Sequence, residues 1–384
     1  MSLAAAPGMT NQPPASRDDL RDFIWPYPPP LAASSFAEVM AAIRPYISKN
    51  LHDGWGWERM LACTRDLPAE AANYWFGFEY KLQDPLPSAD LCIGVGLHSS
   101  VSRHYANRGK ATGADAASAA FAQTLLESER DGSFLSQIIG GAIVEYDIST
   151  ELGSRSPGIF LACPEFWDHK KRGYTNPGAL TAALAAATAQ PECDKQRRAV
   201  EMLFDALPSG ARIAYAGAFP GRGSPAIRLL IAGIEADEAP GTLQRVNWPG
   251  SVSAAAAAVS GFRDLTPYIT VAIDAGPDGI SPRLGLEMFQ SPSLLDRFES
   301  SPEVWHRFID RLVEHDLCLP AKAVGLRDTV RVQFVADPTS GFRARRVINH
   351  FKIGLHDDSV EAKAYVSFSP MPPPLTPLIL RLFR

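Results

Sequence analysis

Residues 74–98 read YWFGFEYKLQDPLPSADLCIGVGLH, two extended runs joined by a turn rich in proline, aspartate and serine. Side chains alternate across a strand, so each run can be divided into two faces. In the first, Phe76, Phe78 and Tyr80 oppose Trp75, Gly77, Glu79 and Lys81. In the second, Leu91, Ile93, Val95 and Leu97 oppose Cys92, Gly94, Gly96 and His98. One face of this hairpin is aromatic and aliphatic. The other is small, polar or charged.

The same unit, an amphipathic helix followed by such a hairpin, recurs along the chain. Helical patterns at 35–47 and 57–65 precede strands at 74–82 and 91–98. A pattern at 114–139 precedes 142–149 and 158–163, and one at 177–207 precedes 212–218 and 227–234. A weaker helix at 251–263 precedes 268–274 and 283–289. The last unit has a helix at 293–316 and strands at 347–355 and 361–368. The faces separate in the later hairpins too. Ile227, Leu229 and Ile231 oppose Arg228, Leu230 and Ala232, and Leu284, Leu286 and Met288 oppose Arg283, Gly285 and Glu287. Ala362, Ala364, Val366 and Phe368 oppose Lys363, Tyr365 and Ser367.

Ten antiparallel strands with helices over their aliphatic faces make an α+β protein. Closure into a barrel would remove the sheet edges and turn the second face into a solvent-filled lumen. An open α+β sheet with that face in solvent is the alternative. The domain reading is a flexible segment at 1–34, one barrel domain at 35–370 and a proline-rich tail at 371–384. With 384 residues, 46% of them hydrophobic and 21% charged, the chain can bury a large core. A net charge of −5 argues against a protein held to nucleic acid by bulk charge. No apolar run reaches the ~18–20 residues of a membrane span, and the first 17 residues do not read as a signal peptide. The five cysteines are scattered without a Cys-x-x-Cys pair, which predicts a cytoplasmic protein with no zinc site.

Five helix–hairpin units around a polar lumen resemble the ABBA, or PT-barrel, fold of soluble aromatic prenyltransferases, of the indole (dimethylallyltryptophan synthase-like) branch or of the bacterial peptide prenyltransferases. Three segments carry the local likeness. FGFEYKL (76–82) is similar to the strand bearing the family's acidic residue, which the resemblance assigns to Glu79. IRLLIAG (227–233) keeps one arginine of an Arg-x-Lys-x-Tyr strand as Arg228, with Leu230 and Ala232 in the other two places. EAKAYVSFSP (361–370) is similar to the closing strand, with Tyr365 shielding an allyl cation and Lys363 beside it. In two other places the sequence departs from the family pattern. GIFLAC (158–163) stands where Lys-x-Tyr is usual, and Gly285 and Glu287 stand where a Gln or Lys and a Tyr are expected.

The resemblance implies metal-independent transfer of a dimethylallyl or longer prenyl group from its diphosphate. The acceptor is an aromatic or other nucleophilic side chain of a small molecule or precursor peptide, and no cofactor is needed. Such chemistry needs cationic donors for the diphosphate, aromatic faces around the allyl cation and a base for the acceptor. The inward positions offer Arg212, Arg228, Arg283, Lys352 and Lys363 as the anion cradle. Trp75, Tyr268 and Tyr365 are the candidates for the shield, Glu79 is the candidate base or acceptor anchor, and Glu287 and His98 are secondary candidates. The competing reading of these charges is ordinary ion pairing, such as Glu79 with Lys81 or Glu287 with Arg283. The lost Lys and Tyr positions support a second function, a non-catalytic barrel that binds an anionic or peptide ligand. An interaction role on an open sheet is the third.

Other motifs carry less. Asp18 to Asp22 spell DDxxD with no second acidic motif on a long helix. Residues 217–224 (GAFPGRGS) resemble a phosphate loop, except that Arg222 and Gly223 occupy the Lys and Ser/Thr positions, so a hairpin turn is the better reading. Gly94 and Gly96 lack a third glycine and a following helix. The run His169, Lys170, Lys171, Arg172 fits either a solvated loop or a dock for an acidic leader peptide.

Overall fold

Closure is visible in the register of the last strand on the first. In the computed structural model, Phe76 lies opposite Phe368, Glu79 opposite Tyr365 and Lys81 opposite Lys363. The structure describes residues 33, 35–73, 75–111, 115–148, 156–162, 177–191, 193–290, 301–331, 334–336, 342–356 and 359–370. The strands are β1 (Phe76–Lys81), β2 (Ala89–Gly96), β3 (Gly141–Tyr146), β4 (Gly158–Ala162), β5 (Arg212–Ala218), β6 (Ile227–Glu235), β7 (Tyr268–Gly276), β8 (Gly279–Phe289), β9 (Phe334–Ala336), β10 (Arg343–His356) and β11 (Ser359–Pro370). All but β9 form one antiparallel ring, in which β8 pairs with β10, β10 with β11, and β11 with β1. The short β9 extends β10 outside the ring. The architecture is a closed ten-stranded α+β barrel, the PT-barrel fold, and no sheet edge remains in the ring.

On β6 and the middle of β11 burial alternates in step with the faces, whereas β1, β2 and β7 are buried on both faces over most of their length. On β6, Ile227, Leu229 and Ile231 are buried, while Arg228, Leu230 and Ala232 keep partial exposure. On β11, Ala362, Ala364 and Val366 are buried, while Glu361, Lys363 and Tyr365 keep partial exposure. The aliphatic face meets a shell of helices, and the other face lines the lumen, where Glu79, Glu145, Glu287 and Lys352 are buried.

The helices are α1 (Phe36–Ile43), α2 (Gly54–Thr64), α3 (Ser100–Lys110), α4 (Ala116–Glu129), α5 (Phe134–Ile138), α6 (Pro177–Thr188), α7 (Asp194–Asp205), α8 (Ala239–Arg245), α9 (Val252–Ser260), α10 (Pro302–Glu314) and α11 (Pro320–Arg331). Ser35, Asp53, Ser99, Asp115, Ser133 and Ser251 cap their helices by accepting a backbone N–H of the first turn. In α10, Trp305, Phe308, Ile309 and Leu312 form a single buried stripe. Phe308 stacks on Phe351 of β10 with centroids 4.5 Å apart. Each such side chain contributes roughly 1.5–3 kcal/mol by leaving water.

Two of the long helical patterns divide. The 114–139 pattern becomes α4 and α5, broken where Gly132 turns left-handed at φ 74°. The 177–207 pattern becomes α6 and α7, broken at Ala189 with φ 53°. The 293–316 pattern begins as a described helix only at Pro302. Helices α3, α8 and α11 were not expected. The tails 1–32 and 371–384, the DDxxD run and residues 169–172 lie outside the described residues. No described helix is long and apolar enough to cross a membrane.

Candidate functional site

All five hairpin turns fall at one end of the barrel, so a residue's height in the lumen follows from its distance to its turn. Midway along, a belt of paired charges crosses the closure seam. Glu287 of β8 lies 3.1 Å from Lys352 Nζ on β10, Lys352 is the register partner of Lys363 on β11, and Lys363 Nζ lies 2.7 Å from Glu79 Oε1 on β1. Tyr365 donates its hydroxyl to the other Glu79 oxygen. Both oxygens of Glu79 are thus engaged. Burial alone would raise its pKa, but Lys363 and Tyr365 hold it well below the usual carboxylate range. Burial also works against the Lys363 charge, and Glu79 more than compensates, raising that pKa.

A second pair faces the lumen from β6 and β7. Arg228 donates Nε to Asp274 Oδ1 at 2.7 Å and Nη2 to Oδ2 at 2.9 Å, a bidentate geometry. The turn after β5 supplies Arg222, which reaches back to β3. It donates to both oxygens of Asp147, at 2.6 and 2.5 Å, and to Glu145 Oε1 at 3.0 Å. Its guanidinium lies 3.7 Å from the Phe219 ring centroid and that of Arg228 lies 4.9 Å away, so Phe219 is wedged between two cations.

Around Cys92 the lumen is acidic. Burial, then the neighbouring charge of Glu79, push Glu145 up to about 7 and Asp90 up to about 6. Glu145 Oε2 meets only the Cys92 thiol, 3.9 Å away, among the described residues. Burial and the same carboxylates push the Cys92 thiol up as well. Burial and like charges thus favour the protonated form of Glu145, whereas Lys363 and Tyr365 favour the ionised form of Glu79.

An aromatic wall stands beside the belt. His350 stacks on Tyr365 with centroids 4.1 Å apart and planes 17° apart, and Phe289 lies 4.6 Å from the same imidazole. Across the lumen, Phe160 and Phe219 meet edge to face at 5.3 Å. Two glycines make room for these rings. A Cβ on Gly217 would lie 2.3 Å from Phe160, and one on Gly158 would lie 2.6 Å from Phe219.

The belt thus contains Glu79, Arg228, Glu287, Lys352, Lys363 and Tyr365. The other expected site residues lie away from it. Arg283 is exposed at the hairpin rim, where it donates to His356 Nδ1 at 2.8 Å. Arg212 begins β5 and is half-buried toward the opposite rim. Tyr268 also begins its strand at that rim, opposite Phe289. Trp75 precedes β1, and its carbonyl accepts the Gly94 N–H at 3.0 Å. His98 does not face the lumen. Strand β2 ends at Gly96, and His98 sits exposed in the following turn with φ 60° and its N–H on Glu129. The expected pairs Glu79–Lys81 and Glu287–Arg283 are replaced by Glu79–Lys363 and Glu287–Lys352. The pairing follows the register between strands, not proximity within a hairpin.

Sequence reading missed Asp90, Glu145, Asp147, Arg222 and Asp274. A signal for two of them was present. In AIVEYDIS, Glu145 falls on the face opposite Val144 and Tyr146, and Asp274 alternates with Val271 and Ile273 in the same way.

No protein-family model and no curated protein matches the chain. Among solved structures, the apo form of the prenyltransferase PriB is similar, with a TM-score of 0.50 at 14% identity over 89% of this chain and 99% of that one. At that identity the likeness shows the shared fold.

Proposed function

We propose that the barrel transfers a dimethylallyl or longer prenyl group from its diphosphate to an aromatic or other nucleophilic side chain, in a small molecule or a precursor peptide, without a metal ion. The observation that carries this reading is the lumen belt, where Lys352 and Lys363 sit side by side against the wall formed by Phe289, His350 and Tyr365. In this reading the lysines, with Arg228 and Arg222 opposite, hold the leaving diphosphate by charge-assisted hydrogen bonds. The aromatic rings face the allyl cation and exclude water from it. A buried carboxylate takes the acceptor's proton. The fold shared with PriB supports the class of reaction. Four free cysteines among the described residues fit action in a reducing compartment, the cytoplasm.

One observation favours a second reading. Lys352, Lys363, Arg228 and Arg222 each already hold a carboxylate. A lumen neutralised in this way also suits a barrel that binds a ligand without turning it over. Calorimetric titration with dimethylallyl and geranyl thiolodiphosphate in EDTA tests the first reading, since these analogues keep the anion and the tail but ionise slowly. The expected result is micromolar binding that Lys352→Met weakens by ~1.5–3 kcal/mol, the scale of a hydrogen bond to a charged group. No binding of either analogue would sink the prenyl-donor reading.

A further inference from the structure

Arg222 differs from the cations of the lumen belt. Lys352, Lys363 and Arg228 are fixed on barrel strands, whereas Arg222 sits in the connection between β5 and β6, with its side chain 35% exposed. It spans the hairpin end of the lumen to hold Glu145 on β3 and Asp147 just beyond the end of that strand. We infer that an anionic group entering the lumen draws Arg222 off this carboxylate pair, and that Glu145 takes a proton from solvent as it does so. The inference rests on the reading above only in taking the incoming group to be a diphosphate.

The argument is one of charge balance. Glu145 faces Cys92 and Asp90 on β2, Glu79 on β1 and Asp147 just past the end of its own strand. Tyr365, Lys363 and Arg228 act on it from further off. The near neighbours are carboxylates and one neutral thiol. Lys363 is already bound by Glu79, and Arg228 by Asp274. Among the described residues, Arg222 is the one cation that touches Glu145. Without Arg222, Glu145 would share a buried space with three like charges, and a diphosphate at the belt would add more. A buried carboxylate in that position is neutralised by protonation. Its resting value near neutrality means that the proton is within reach at ordinary pH. Neither Glu79 nor Asp274 can serve, because strand-borne cations hold both below the usual carboxylate range.

The test is calorimetry with inorganic diphosphate in EDTA, run at neutral pH in two buffers of different ionisation enthalpy. The slope gives the protons taken up per anion bound. Diphosphate itself exchanges protons, so the readout is wild type minus Glu145→Gln. The expected difference is about half a proton at neutral pH, and more one unit higher, where free Glu145 starts ionised. Glu145→Gln is expected to bind diphosphate at least about fivefold more tightly, since a competing charge is gone. Arg222→Gln, on an exposed turn, provides an independent check. Its Glu145 is protonated beforehand, so its proton count should equal that of Glu145→Gln.

Equal counts in wild type and Glu145→Gln would overturn the inference. So would a wild-type count retained by Arg222→Gln. If inorganic diphosphate binds with the expected difference but dimethylallyl thiolodiphosphate does not bind, the proton coupling stands and the prenyl reading falls. No binding of inorganic diphosphate to any of the three proteins would overturn the displacement itself.

Discussion

Replacing Arg228 by methionine should unfold the barrel far more readily than replacing Arg228 and Asp274 together. The two residues are register partners on β6 and β7, joined by two hydrogen bonds of 2.7 and 2.9 Å, with side chains only 17% and 12% exposed. Methionine keeps most of the arginine stem but leaves Asp274 as a buried charge whose remaining cations, Lys352 and Arg283, act only from a distance. Breaking a buried pair on one side costs about 3–5 kcal/mol, and the partial exposure places this case near the lower end. Arg228→Met/Asp274→Leu leaves no orphaned charge and should cost about 1 kcal/mol or less, giving a coupling energy of ~2 kcal/mol or more. Urea unfolding followed by tryptophan fluorescence, on all four proteins of the cycle, measures it. The sign with pH is fixed as well. Burial opposes ionisation of Asp274, and Arg228 outweighs it, so the carboxyl lies below 3.8 in the folded protein and the pair stabilises above that value. In Arg228→Met the folded carboxyl rises, and the deficit relative to wild type should shrink as the pH falls toward 4. Additive losses in the double variant, or a single-variant cost that does not change with pH, would refute the reasoning.

Glu145→Gln should show the opposite pH dependence. The folded Glu145 binds its proton up to about 7 against 4.5 when unfolded, so wild-type stability falls as pH rises through that window and the full penalty is present above it. The neutral variant should therefore exceed wild type by up to about 2–3 kcal/mol at pH 8, and the gap should narrow as the pH falls and close near pH 4, as read from urea midpoints. Gly217→Ala would drive a Cβ to 2.3 Å from the Phe160 ring. That overpacking should cost ~1–3 kcal/mol in thermal or urea unfolding, and Phe160→Leu in the same chain should recover most of it. A fully tolerated Gly217→Ala would mean that Phe160 does not rest on that glycine.

The strand faces were legible because alternation is a local property. Phe76, Phe78 and Tyr80, or Leu284, Leu286 and Met288, declare their side without knowledge of the partner strand. The seam was not legible in the same way. Glu79 and Lys363 are 284 positions apart, and only the register of β11 on β1 brings them together. Nearer candidates such as Lys81 were therefore the natural but mistaken partners. Lys81 instead lies 3.8 Å from Asp90. Helix breaks at Gly132 and Ala189 depend on single left-handed residues, and alanine carries no turn signal at all. His98 was read one pleat too far because the leucine before it continues the apolar period past the end of β2 at Gly96. The turn around Arg222 was recognised from its Pro and Gly content, but the reach of its side chain to β3 depends on how the two hairpins lie side by side.

The most direct test of the account is turnover. The protein would be incubated in EDTA with dimethylallyl or geranyl diphosphate and a panel of acceptors, namely free tryptophan, free tyrosine, a dihydroxynaphthalene and short peptides containing either aromatic residue. Products would be followed by mass spectrometry. The account predicts an acceptor that gains the prenyl group in the presence of EDTA, with the signal strongly reduced in Lys352→Met. Binding of the thiolodiphosphates without any prenylated product from the whole panel would contradict the catalytic claim and leave a barrel that holds its ligand without reacting it.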